Sequence, residues 1–356
     1  MRKWIVSVLA LVAIAVVVSS HEFFQQRSQP VIESRVESTP APPVQHFDVA
    51  AASEKPLNAP NVDPKRLMGH VNALNFQRYT QIERDRTRKY LTQSLKKSGW
   101  SPKLQPFEGG VNVVATRKGT DKNAGTVLIA AHYDTVPGSP GADDNASGVA
   151  VILEMARLFG SRPTPRTLQL AFFDQEELGL RGSLAFAAKQ TNLSNLRGVI
   201  VMDMVGYACY TPGCQKVPPG LPITPPSDKG DFLAVVGDTE HLPLLDAFKK
   251  STQPGLPLVL TLPVPLKGLM TPDVLRSDHA PFWYRGVGAV LLTDTANLRT
   301  PHYHQPSDTP TNLDRPFFQG AARIVAIATT RLLEGRDRLE SEPSTSSPSS
   351  GSNFGQ

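Results

Sequence analysis

"AAHYDTVPGSPGADDNASGVAVILEMARLF", residues 130–159, joins an apolar run to an apolar helix through a Pro/Gly loop. His132, Asp134, Asp143 and Asp144 crowd that loop. Acids beside the end of a buried strand are costly unless something cationic joins them. The run that leads in, "TVLIAAH" (126–132), is almost wholly apolar, as in a strand covered on both faces. The segment that follows, "SGVAVILEMARLFG" (147–160), is apolar at 149, 152, 153 and 156, a helical spacing.

The same alternation continues outward. "VNVVATRKG" (111–119), "TLQLAFFD" (167–174), "LRGVIVMD" (196–203), "DFLAVVG" (231–237) and "GAVLLTD" (288–294) read as strands. Segments 66–75, 81–99, 182–190, 241–252 and 314–335 read as helices, the second closed by Gly99. Apolar strands alternating with helices predict a three-layer α/β/α domain on a mostly parallel, mixed central sheet. Ligands of such sheets sit beyond the carboxyl ends of the strands. There the chain places His132-Tyr133-Asp134, Asp174-Gln175-Glu176-Glu177 and Asp203.

Taken singly, each group has a bland reading. His132 and Asp134 make a surface pair, Asp143-Asp144-Asn145 an N-cap, and Glu176-Glu177 an acidic first turn. Asp203 is one more solvated acid, and His302-Tyr303-His304 an ordinary Pro-rich loop. Together they resist that reading, because Asp144, Glu177 and Asp203 in one cleft repel strongly unless cations neutralise them. Two histidines with three carboxylates form a mixed N/O donor set suited to catalytic zinc. Two zinc ions sharing one carboxylate absorb all five and leave Glu176 free as a base.

The ordered set "HYD" (132–134), "GADDNASG" (141–148), "DQEELGLRGS" (174–183), "MDM" (202–204), "SDHAPF" (277–282) and "HYHQPSDT" (302–309) closely resembles the exported bacterial di-zinc aminopeptidases of the leucyl aminopeptidase type. Glutamate carboxypeptidase II and the glutaminyl cyclases belong to the same family. The resemblance spans about residues 64–335. It implies that His132 and Asp203 hold one zinc, Glu177 and His304 the other, and that Asp144 bridges them through a site with a cis bond to Asn145. It further implies that Asp134 orients His132 and that Tyr303 donates to the developing oxyanion. His304 is preferred to His302 because the family ligand lies four residues before the aspartate of "SDT", here Asp308. The implied reaction is hydrolysis of the N-terminal peptide bond of peptides by a metal-bridging hydroxide, with Glu176 as general base and then acid. Ser147 and Ser277 are then not nucleophiles, and Ser277-Asp278-His279 cannot align as a triad.

Two related chemistries compete. The carboxypeptidase/deacylase type of zinc exopeptidase also carries a "HxDTVP" strand end, matched here by "HYDTVPG". That group follows its bridging acid with Lys-Gly, whereas Asn-Ala-Ser-Gly follows Asp144. It also inserts a long lid, and the hundred residues between Asp203 and His304 already have to supply strands, helices and the cysteine loop. The other rival is a single-zinc glutaminyl-peptide cyclotransferase; the five retained ligand types and the intact "DNASG" favour the peptidase. A glutamate carboxypeptidase II-like architecture needs an insert before the first ligand, and only thirty-one residues separate Trp100 from His132. A binding protein that had lost catalysis would lack a ligand or the base, and none is missing.

The flanks carry little structure. "MRKWIVSVLALVAIAVVVSS" (1–20) has fifteen uncharged residues from Trp4 to Val18, short for a membrane span and fitting a signal segment. Cleavage at the small residues 18–20 or retention as an N-terminal anchor both send the remainder out, to the periplasm or the medium; the second attaches it to the inner membrane. Residues 21–63 and 340–356 read as Pro- and Ser-rich linker and tail, leaving the zinc peptidase domain at 64–339. The net charge of +5 comes without a Lys/Arg run, so no nucleic-acid partner is expected. Peptides are the expected partners of a monomeric chain. Cys209 and Cys214, around a Pro-Gly turn, read as a disulfide in an exported chain; zinc ligation would need a second Cys/His pair.

Overall fold

The computed structural model describes residues 57–217, 227–335 and 339. The expected leader, most of the expected linker and the tail lie outside these residues. The helices are α1 (Pro64–Ala73), α2 (Gln81–Lys97), α3 (Ala146–Phe159), α4 (Arg181–Ala187), α5 (Gln190–Leu193), α6 (Leu242–Lys249), α7 (Ala280–Tyr284) and α8 (Arg315–Leu333). The strands are β1 (Lys103–Phe107), β2 (Gly110–Arg117), β3 (Thr126–His132), β4 (Thr167–Phe173), β5 (Leu196–Met202), β6 (Phe232–Asp238), β7 (Leu258–Val264) and β8 (Ala289–Thr293). Among the described residues no helix is long and apolar enough to cross a membrane.

The eight strands form one sheet in the order β1-β2-β4-β3-β5-β8-β6-β7. The central strands β4, β3, β5 and β8 are parallel, whereas β1-β2, β2-β4 and β8-β6 pair antiparallel. Every residue of β3 is buried, as its unbroken apolar run requires. One face of the sheet packs Val127, Ile129 and Leu292 against α1, α2, α3, α6 and α8. The other packs Leu128, Val199 and Phe173 against Phe186 of α4 and Phe282 and Trp283 of α7. This is the three-layer α/β/α arrangement that the alternation predicts.

Local sequence sets the elements that frame the strand ends. Helix α2 starts in a capping box, with Thr80 and Glu83 each satisfying the other's backbone N–H. Helix α3 is capped by the Asn145 side chain, which accepts from the Gly148 amide at 3.1 Å. It is buried nearly all round rather than on one stripe, and its single acid, Glu154, is paired with Arg157 and the Asp63 amide. Two strands escape a reading of the sequence. Strands β1 and β7 lie at the two edges of the sheet and contain Pro106 and Pro263, which edges tolerate because one side of the strand needs no ladder bond.

Cys209 and Cys214 are joined, with Cα atoms 6.3 Å apart, and an antiparallel bridge from Cys209 to Gly230 ties the loop to the start of β6. Arg299 locks the same corner, donating to the Gln215 side chain and to the Tyr207 and Phe232 carbonyls. Labelling of unfolded, unreduced protein is therefore expected to find no free thiol. Because the closed loop is so short, reduction should cost no more than about 2 kcal/mol in a urea titration. Two reactive thiols per chain would contradict the pairing.

Candidate metal centre

The carboxyl ends of β3, β4 and β5 open onto one cleft. His132 ends β3 and is 1% exposed. Asp203 follows β5, and the turn after β4 presents Glu176 and Glu177. The Pro/Gly loop brings Asp144 between them, and the loop before α8 supplies His304. The five residues expected to bind metal come together, Glu176 joins them beside His132 and Asp203, and Asp134 and Tyr303 lie around the group.

Asp144 stands at the middle of the five. One of its oxygens lies 3.3 Å from Nε2 of His132, and the other lies 3.1 Å from Nε2 of His304. His132 Nε2 is also 3.4 Å from Asp203, and His304 Nε2 is 3.2 Å from Glu177. Two half-sites thus share one carboxylate. The peptide bond between Asp144 and Asn145 is cis, as the resemblance implies. Gln175, Met204 and His304, beside or within the cluster, all adopt left-handed backbone at φ 57 to 59°. Such conformations are uncommon for residues with a Cβ and gather at functional sites.

A scaffold of polar contacts holds this arrangement. Asp308 accepts from the amides of Asp143 and Asp144 at 2.8 and 3.0 Å. Asn145 donates to the Met202 carbonyl at 2.8 Å. Ser147, far from acting as a nucleophile, donates to the Asp143 carbonyl at 2.7 Å and accepts from the Val205 amide. The fully buried Arg78 spans the back of the loop, donating to the carbonyls of Leu74, Phe76, Tyr133, Pro140 and Gly141 at 2.5 to 2.9 Å. Gly141 is left-handed at φ 61°, and a Cβ there would lie 2.2 Å from the Asp144 carbonyl oxygen. Nothing in the sequence marks Arg78, because its partners are backbone carbonyls, three of them more than fifty residues away.

The Asp134 carboxylate faces Nδ1 of His132 at 3.6 Å and also accepts from the amides of Glu176 and Glu177 at 3.1 and 3.2 Å. It positions the acidic turn. Asp174, at the end of β4, turns away to pair with Arg84 and Arg88 at 3.0 and 3.2 Å. Tyr303 stacks on His304 at 3.7 Å between ring centroids, and its hydroxyl accepts from Arg276 at 3.0 Å. His302 stands aside, bonded to Ser307 at 2.9 Å. Ser277, Asp278 and His279 form no triad, since Nε2 of His279 bonds the Val274 carbonyl at 2.7 Å. A further grouping, Asp238, Glu240 and His241, lies past the end of antiparallel β6, at the opposite edge of the sheet.

The electrostatics are those of a site short of positive charge. Burial and the neighbouring Asp144 push the Glu177 carboxyl up to about 7. Burial pushes Glu176 well above the ordinary carboxylate range, with Asp203, Asp278 and Glu177 adding to it. Burial alone would lower His304, but Asp144 and Glu177 outweigh it and raise the imidazole to about 10. His132 likewise rises well above its usual value against burial, through Glu176, Asp134, Asp144 and Asp203. One buried oxygen of Glu177 has no hydrogen-bond partner. Converging imidazole nitrogens, crowded carboxylates and an orphaned carboxylate oxygen are the donor chemistry of zinc.

The cluster opens into a cavity of about 630 Å³ that also takes in Tyr303, Arg276 and Leu298. Gln215, Lys216 and Val217 wall it from the disulfide side, and residues 273–277 wall it opposite.

The model of peptidase family M28 matches residues 112–329. The uncharacterized protein YfbL of Escherichia coli (strain K12) is 32% identical over 274 residues, 71% of this chain and 80% of that protein. The probable lipoprotein aminopeptidase LpqL of Mycobacterium tuberculosis is 32% identical over 57% of this chain, which spans only 42% of that relative's length. The solved aminopeptidase of an Aneurinibacillus strain superposes with a TM-score of 0.60 over 76% of this chain and 94% of its own, at 17% identity, a likeness of fold.

The raised imidazoles give a signed expectation for the metal-free protein. A histidine whose folded pKa is raised stabilises the fold fully below about 6.5, and that contribution fades as pH rises through the folded value. Glu177, raised to about 7, works in the same direction as pH rises. Below that window the buried His70 and His279, each lowered to about 4, oppose the trend. Stability of the chelated protein in urea should therefore fall from pH 6.5 to 10, and saturating zinc should flatten the curve. A flat curve without metal would mean that these imidazoles are not raised.

Proposed function

The chain belongs to peptidase family M28, a family of zinc metallopeptidases, and from that premise we propose that it is an exported aminopeptidase holding two zinc ions. The observation that carries this reading is Asp144, which offers one oxygen to the half-site of His132 and Asp203 and the other to that of Glu177 and His304. A single-zinc cyclotransferase would need only one half-site, and both are complete here.

Zinc bound by these five residues supplies Lewis-acid polarisation of the scissile carbonyl and acidifies the attacking water. The chain's own groups do the rest. Glu176, 8% exposed and held by its amide to Asp134, has the raised basicity that proton transfer near neutral pH requires. It takes the proton from the attacking water and passes it to the leaving amine. Tyr303, with Arg276 donating to its hydroxyl oxygen, keeps its own O–H free for the oxyanion that develops on the carbonyl. Cleavage at the N-terminus of a peptide is supported by the likeness to the probable lipoprotein aminopeptidase LpqL. Export is supported by the Cys209–Cys214 disulfide and the apolar, lightly charged start of the chain.

Metal analysis of purified protein should find two zinc ions per chain, and chelation should abolish cleavage of aminoacyl anilides until zinc or cobalt is restored. One tight site and no second would favour the cyclotransferase. The acidic turn separates ligand from base. Glu177→Gln should lose zinc from one half-site, because a neutral amide is a poor ligand. Glu176→Gln should keep both metals yet lose about 10²–10⁴-fold in rate. Zinc lost from Glu176→Gln and retained by Glu177→Gln would reverse the two roles, and normal turnover of Glu176→Gln would refute the mechanism.

A further inference from the structure

The cavity extends well past the acid cluster, across a face of the sheet that belongs to none of the five ligands. Beyond β5 it runs over β8, β6 and β7, and the strand registers fix what lies there. Ala234 pairs with Thr293 on one side and Leu260 on the other, and Val236 pairs likewise with Leu291 and Leu262. All six line the cavity. They form two cross-strand rows on one face, while the alternate residues Leu233, Val235 and Leu292 point into the core beneath.

Adjacent strands lie about 4.8 Å apart, so each three-strand row is about 10 Å wide. A single branched leucyl side chain would leave most of that floor bare. The middle of the row nearer the metal cluster is Ala234, smaller than both neighbours, which leaves a trough between Thr293 and Leu260. The proposed metal site closes one end of the cavity, and the two largely apolar rows floor it beyond. That pairing of features suits a substrate whose N-terminal residue carries a long apolar side chain.

We propose that the cavity-lining face of β8, β6 and β7 seats the side chain of the substrate's N-terminal residue, that it selects long unbranched apolar chains over short ones, and that Ala234 sets its depth. The inference rests on the aminopeptidase reading and narrows it to a class of N-terminal residue.

The zinc-loaded protein is assayed with p-nitroanilides of alanine, norleucine and 2-aminooctanoic acid. Values of kcat/KM rise roughly fourfold per added methylene, the factor expected for burying each one. In Ala234→Leu the ratio of the 2-aminooctanoyl to the alanyl value falls at least tenfold. Leu260→Trp, on the edge strand and away from the core, lowers the same ratio from the far end of the row. A series that is flat or falls with length, or a ratio unchanged in both variants, overturns the proposal. Calorimetric titration of the metal-free protein with methylamine, n-butylamine and n-octylamine separates this outcome from failure of the peptidase reading. Affinity that grows with chain length and is lost in Ala234→Leu supports the trough even if no anilide is cleaved. Binding independent of length overturns it even in an active peptidase.

Discussion

Mutual repulsion among buried carboxylates is the constraint on which this structure turns. Asp144, Glu176, Glu177 and Asp203 meet where three parallel strands end, and the two histidines among them do not balance their charge. Among the described residues no lysine or arginine pairs with the cluster's carboxylates. Arg78 comes near, yet its donors are consumed by backbone carbonyls, and burial lowers its own pKa to about 10. The acids are thus held together by their scaffolding and left electrically unfinished. A divalent cation completes such a site, and a proton is the weaker substitute.

That scaffolding is mostly backbone held by side chains that bind no metal. Asp308 gathers two successive amides, Asp134 gathers another two, and Asn145 ties the loop to the end of β5. Each contact fixes the peptide next to a ligand rather than the ligand. Charged acceptors on amides are strong and directional, so they can set positions in a loop that regular secondary structure does not reach. The left-handed residues beside the ligands fit the same picture, since the chain adopts unfavourable torsions where it is most tightly held.

How much of this was legible depended on whether the signal was local. Strands β3, β4 and β5 announce themselves by runs that are largely apolar, so the central sheet could be read from the chain, and the fold brings together the five proposed donors that the motifs single out. Strands β1 and β7 could not, because "KLQPF" and "LVLTLPV" contain proline and an edge tolerates it. The reversed direction of β6 was equally hidden, since direction is set by a partner strand. Asp134 faces His132 two residues away, but the amides of Glu176 and Glu177 that it also holds lie more than forty positions along the chain and leave no local signal. Arg78 left no trace at all, because a lone arginine whose partners are carbonyls has no motif.

The placement of Arg78 has a consequence for what counts as the smallest working piece of this protein. A fragment beginning at β2 would contain the five proposed metal donors, Glu176 and the cavity floor. It would lack the one side chain that clasps the carbonyls of Tyr133, Pro140 and Gly141 to the turn after α1. The first two helices therefore act as a template against which the donor loop is cast, although they touch no metal and no substrate. The smallest unit that keeps the donor loop in shape therefore reaches upstream of β2, to Arg78 and the helices that flank it.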